Sequence, residues 1–150
     1  MIKIKIIIIF LLLSACGYQL ANNEVNTDIY IANYNLNGDK YINRVLSKSL
    51  SRSKNTNAKN EFTVTTFSEV EKTVNSKNKS GENVNLTLNI NIKFEIFNNN
   101  NLIKTLELKD SANYNSSNNK FEQKQYERVL IENMVENILV IFYQNLIEVE

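Results

Sequence analysis

Residues 84–97 read Val84-Asn85-Leu86-Thr87-Leu88-Asn89-Ile90-Asn91-Ile92-Lys93-Phe94-Glu95-Ile96-Phe97, with apolar and polar side chains alternating through the run. Successive side chains of a strand point to opposite faces, so this is a strand with one face buried and the other wet. The four asparagines at 98–101 that follow read as a turn. Beyond it Leu102, Leu106 and Leu108 alternate with Thr105, Glu107 and Lys109, and the pattern continues towards Ala112 and Tyr114. Two long strands joined by so short a link lie side by side and antiparallel. The apolar face of this hairpin needs a covering layer, and the segments on either side supply it.

Downstream, residues 115–119 break the alternation and offer several helix caps, and the stretch from Phe121 to about Ile147 is rich in helix formers. Ile131, Met134, Val135, Ile138 and Phe142 recur at helical spacing as its inward stripe. A second apolar set, Val129, Val140, Tyr143 and Ile147, lies on nearly the opposite face. That set reads equally as a partner surface or as a cover for the sheet edge or the other helix.

Upstream, Ile29, Tyr30 and Ile31 begin a short strand that ends near Tyr34, and residues 35–39 read as a turn with good N-caps. Ile42, Val45, Leu46 and Leu50 then form one stripe of an amphipathic helix. Arg44, Lys48 and Arg52 on another side read as its solvated face. Residues 51–60 read as a loop, Phe62, Val64, Phe67 and Val70 as a strand with a bulge between Val64 and Phe67, and residues 75–82 as a second, basic loop. The expected fold is therefore α+β: a two-layer sandwich of about four strands, mixed or antiparallel, against two helices, in the order β-α-β-β-β-α.

The first residues are of another kind. Lys3 and Lys5 give a positive start, residues 6–13 are an unbroken apolar run, and Ser14 and Ala15 are small enough for a peptidase subsite. This is the layout of an export leader, and the apolar run falls well short of the ~20 residues a spanning helix needs. Leu13, Ser14 and Ala15 are the expected peptidase-recognition residues, and Cys16, the chain's single cysteine, follows them directly. A thiol can take a diacylglyceryl group as a thioether, and the pattern resembles the lipobox of bacterial lipoproteins. One acyl chain binds a membrane only marginally at ~0.8 kcal/mol per buried methylene, so further chains such as palmitate would make attachment lasting. Residues 1–15 are thus expected to be a cleaved leader, 16–28 an acylated N-terminus and tether, and 29–150 a single α+β domain.

Composition narrows the chemistry. The chain has 17 basic and 16 acidic side chains; without Lys3 and Lys5 the mature balance is 15 against 16, or −1, which gives no field for nucleic acid. Histidine is absent, which removes the usual general base and the commonest metal ligand. Glycine occurs only at 17, 38 and 81, too sparsely for a phosphate-binding loop. Glu69 and Glu71 are the nearest approach to a catalytic carboxylate pair, and with nothing specialised around them they read as a solvated strand face. The expectation is a protein that is not an enzyme and has no metal and no cofactor beyond the lipid on Cys16.

The sequence Cys16-Gly17-Tyr18-Gln19-Leu20, a lipobox cysteine followed by Gly-aromatic-polar-Leu, together with this order of elements, resembles the LPS-assembly lipoprotein LptE family. Ser80-Gly81-Glu82-Asn83 before the long strand also resembles that family's turn. The resemblance implies a non-enzymatic outer-membrane lipoprotein facing the periplasm. Such a protein plugs the LptD barrel translocon, pairs with it one to one, and assists lipopolysaccharide insertion. It further implies lipopolysaccharide contacts at Lys77 or Lys79 and at Lys120, whose ammonium groups suit lipid A phosphates, although each alone also reads as a solvated lysine. The chain departs from the family in being short and in lacking proline and a C-terminal extension. The alternative is an auxiliary lipoprotein of a lipid-transport ABC system or of cell-wall synthesis.

Overall fold

The computed structural model describes residues 29–52 and 60–147. The leader, Leu13, Ser14, Ala15, Cys16 and the tether lie outside the described residues, as do residues 53–59 of the first loop. The elements run β1 (Ile29–Gly38), α1 (Lys40–Leu50), β2 (Asn60–Lys77), β3 (Asn83–Asn98), β4 (Asn101–Asn115) and α2 (Lys120–Ile147). The order is β-α-β-β-β-α, and the fold is the expected α+β sandwich. The four strands form one sheet in the order β1-β2-β3-β4; β1 is parallel to β2, and β2, β3 and β4 form an antiparallel meander.

One face of the sheet is covered. Leu86, Leu88, Ile90, Ile92, Phe94 and Ile96 of β3 are buried beneath Ile42, Leu46 and Leu50 of α1 and Met134, Val135, Ile138, Leu139, Phe142 and Leu146 of α2. Phe94 and Phe142 stack with ring centroids 4.4 Å apart, joining sheet and helix at the centre of this core. Each large apolar side chain so buried contributes about 1.5–3 kcal/mol. Both helices enter the layer through a side-chain cap. Asp39 caps α1 by accepting from the Tyr41 and Ile42 amides at 2.8 and 3.0 Å, and Asn119 caps α2 by accepting from the Phe121 and Glu122 amides at 3.0 and 3.3 Å.

Four expectations are corrected. β1 does not end near Tyr34; residues 35–38 are strand rather than turn, and only Asp39 serves as a cap. The strand stops at Gly38, whose φ of +101° suits glycine and whose absent Cβ would run into the Ser68 carbonyl. The bulge expected between Val64 and Phe67 is not there: β2 pairs with β3 in unbroken register from Thr63 to Val74. Thr66 and Ser68 take the inward positions, and Phe67 points out to the open face, 5.7 Å from the Lys93 ammonium. Ser68 tolerates burial because its hydroxyl donates to the Asn37 carbonyl and the Asn43 side chain, each at 3.1 Å. The register shifts instead in β1, between Ile31 and Asn33, and near the two hairpin ends, between Val74 and Lys77 of β2 and between Ile96 and Phe97 of β3.

The fourth correction is the basic loop. β2 runs on to Lys77, and the turn is confined to residues 78–82. The second apolar set of α2 divides: Val129, Val140 and Ile147 are exposed, whereas Tyr143 is half-buried against the core, with its hydroxyl 3.4 Å from Ser49 Oγ of α1. Arg44, Lys48 and Arg52 are exposed, as a solvated helix face requires.

Candidate functional site

The strand register divides the domain into two ends. β1 stops at Gly38, opposite Ser68, and α1 starts there, so neither reaches the far half of β2 and β3. From Glu71 to Lys77 every residue of β2 is exposed. What covers the far half is the first part of α2, and the join there is polar. Glu127 Oε1 accepts from Lys72 Nζ at 2.6 Å, Tyr114 OH at 2.5 Å and Gln123 Nε2 at 2.9 Å, tying α2 to β2 and β4. Burial alone would raise the Glu127 carboxyl, but donation from Gln123, Lys72 and Tyr114 more than offsets it, so the group titrates below its ordinary value. Burial, and then the Glu127 carboxylate, push the Tyr114 hydroxyl up.

Of the three lysines singled out from the sequence, two are at the β2–β3 turn of this far end and the third opens α2. Lys77 pairs with Asn83 at the mouth of the β2–β3 turn, and Lys79 lies within the turn. The turn is built on Asn78, whose side chain accepts from the Ser80 and Glu82 amides, each at 2.9 Å, and donates to Glu82 Oε2 at 2.8 Å. The Ser116 amide donates to the Val84 carbonyl at 2.9 Å, which fixes the approach to α2, and so Lys120, beside that turn. All three lysines are exposed, and among the described residues none makes an ion pair. These are exposed ammonium groups on an ordered hairpin, which also carries Glu82, and on a capped helix end, able to meet an anionic ligand without breaking an ion pair among the described residues.

Glu69 and Glu71 are both on the open face of the sheet. They border a concavity of about 520 Å³ together with Asn89, Asn91, Lys109 and Ser111. Polar pairs tile the rest of this face: Asn75 Nδ2 donates to Asn85 Oδ1 and Thr87 Oγ1, each at 2.7 Å, and Asn91 Nδ2 donates to Glu107 Oε1 at 3.1 Å. The hydrogen bond from Lys109, and then that from Asn91, hold the Glu107 carboxyl below its ordinary value. Among the described residues no group of His, Cys, Asp or Glu could hold a metal ion, and no helix is long and apolar enough to cross a membrane. The Glu127 cluster escaped the sequence reading because Lys72, Tyr114 and Gln123 come from three separate elements.

One four-stranded sheet with two helices on one of its faces is an α+β fold that solved bacterial lipoproteins share. One is rare lipoprotein B from Shewanella oneidensis, with a TM-score of 0.54 and 13% identity over 77% of this chain and 97% of that one. Another is a minor lipoprotein from Acinetobacter baumannii, with a TM-score of 0.52 and 16% identity over 75% and 93% of the two chains. Lipoprotein B from Nitrosomonas europaea matches with a TM-score of 0.52 and 14% identity over 81% and 83%. At these identities the likeness is one of fold. No protein-family model and no curated protein sequence matches the chain.

Proposed function

We propose that the chain is an outer-membrane lipoprotein, acylated on Cys16 and held on the periplasmic side. In this reading it assembles one to one with the LptD barrel translocon, occupies its lumen, and assists lipopolysaccharide insertion by binding, without covalent catalysis. The observation that carries the reading is the conjunction of an apolar leader ending at Leu13-Ser14-Ala15-Cys16 with a fold that solved bacterial lipoproteins share over most of their length. The LptE resemblance at Cys16-Gly17-Tyr18-Gln19-Leu20 supplies the partner. Lys77, Lys79 and Lys120, exposed and without an ion pair among the described residues, are the groups that meet lipid A phosphates in this reading.

The test is detergent extraction of the tagged protein. A large outer-membrane barrel recovered at equal stoichiometry is the expected result. An inner-membrane transporter or a cell-wall synthase in its place would overturn the reading in favour of the auxiliary-lipoprotein alternative.

A further inference from the structure

We propose that the edge of β2 beyond Ser68 is a strand-acceptor site, completed by an extended segment of a partner polypeptide that carries apolar and acidic residues on one face and basic residues on the other. The inference goes beyond the proposed function and holds for any partner with such a segment.

Backbone geometry defines the edge. β1 pairs with β2 only as far as Gly38 and Ser68, where the Asp39 amide donates to the Ser68 carbonyl at 3.1 Å. The peptide groups of Ser68 thus face the β1 side of the sheet. Backbone groups alternate in direction along a strand, so those of Val70, Lys72 and Val74 face the same way. Among the described residues no strand lies beside them, and their amides and carbonyls form an open row. The ligand that matches such a row is another strand.

The edge is also unguarded. Sheets blunt their edges with bulges, prolines or inward charges. β2 has no register shift between Thr63 and Val74, and the chain has no proline. The inward charge of this stretch, Lys72, is drawn away to Glu127 of α2 at 2.6 Å. The opposite edge, β4, is better protected: its register breaks beside Ile103, and Lys104, Glu107, Lys109 and Asp110 lie along it.

Side chains make the edge one wall of a slot. Val70, Lys72 and Val74 point to the helix-covered face, as Thr66 and Ser68 do, and Val74 is 41% exposed there because β1 has ended and α1 does not reach it. α2 forms the roof. The Arg128 guanidinium sits 6.0 Å from the Tyr41 ring at the start of α1, and Lys124 and Phe121, one and two turns earlier, share that face of the helix. Lys124 and Arg128 have no ion pair among the described residues, and Phe121 is 70% exposed. A strand laid in the slot turns every second side chain towards Val70, Val74 and the roof, where apolar and acidic residues fit. Its other side chains emerge beside Glu69 and Glu71 on the open face, where basic residues fit.

The test uses the acylated chain in a neutral detergent and the synthetic peptide KVKEKVK, whose sequence reads the same both ways and so suits either strand direction. At millimolar peptide, amide exchange followed by NMR should slow severalfold at Val70, Lys72 and Val74. The same peptide N-methylated throughout keeps its charges but loses its donors, and should have no effect; nor should EVEKEVE, with the charges reversed. Val74→Pro should remove the protection while β2 stays paired with β3, because the amide it deletes faces away from β3. No slowing at these amides, slowing along β4 instead, or equal protection by the N-methylated or charge-reversed peptide would overturn the inference. None of these outcomes bears on the barrel, which detergent extraction tests separately.

Discussion

The near end of the domain, where the chain enters β1, is two full layers thick, whereas the far end consists of three strands and the first turns of one helix. At the near end both helices close over the sheet, and Phe94, Ile96, Leu50, Phe142 and Leu146 are all buried. At the far end β1 and α1 have stopped, β2 is exposed on both sides, and the Glu127 cluster replaces apolar packing. Stability is set where the layers are complete, and the extension beyond them is free to carry charge. Lys77 and Lys79, without an ion pair among the described residues, are at the thin end.

Substitutions at the two ends should separate these roles. The largest effect is expected at the near end. Phe142→Ala removes the ring stacked on Phe94 and should cost about 3–5 kcal/mol, lowering the whole denaturation curve as read by circular dichroism. If the loss were confined to the far strands, the division would be wrong.

A smaller effect is expected at the polar join. Glu127→Gln should cost about 1–3 kcal/mol through weakened charge-assisted bonds to Lys72 and Tyr114. Hydrogen exchange should show the loss as faster exchange in β2 beyond Ser68. Because the folded Glu127 titrates below its ordinary 4.5, its contribution is complete above pH 4.5 and is lost as the pH falls towards the depressed value. The wild-type chain should therefore lose stability through that window faster than Glu127→Gln does, as denaturant titrations at successive pH values would measure.

The smallest effect on stability belongs to the lysines. Lys77→Gln, Lys79→Gln and Lys120→Gln together should change stability by no more than about 0.5 kcal/mol, as substitutions of exposed groups do. They should nonetheless weaken binding to lipopolysaccharide, measured by co-sedimentation. A variant that binds as the wild type does would remove these residues from the proposed site.

The same division explains what could be read in the sequence. β3, β4 and both helices were legible because a covering layer imposes period 2 or 3.6 on the side chains that meet it. The far half of β2 has no such layer, so Asn75, Ser76 and Lys77 carry no alternation and read as loop, although Ser76 and Lys77 pair with β3 and Asn75 is the residue skipped where the register shifts. Thr66 and Ser68 hid the continuity of the same strand, since inward polar residues look like a break until Asn37 and Asn43 are found beside Ser68. The lysines were named from a family resemblance, and only the structure shows Lys77 and Lys79 at the β2–β3 turn and Lys120 at the start of α2.

The most direct measurement is photo-crosslinking in cells from position 79. A crosslinker there should capture the outer-membrane barrel and lipopolysaccharide. Capture of an inner-membrane transporter or a wall synthase in their place would contradict the proposed function.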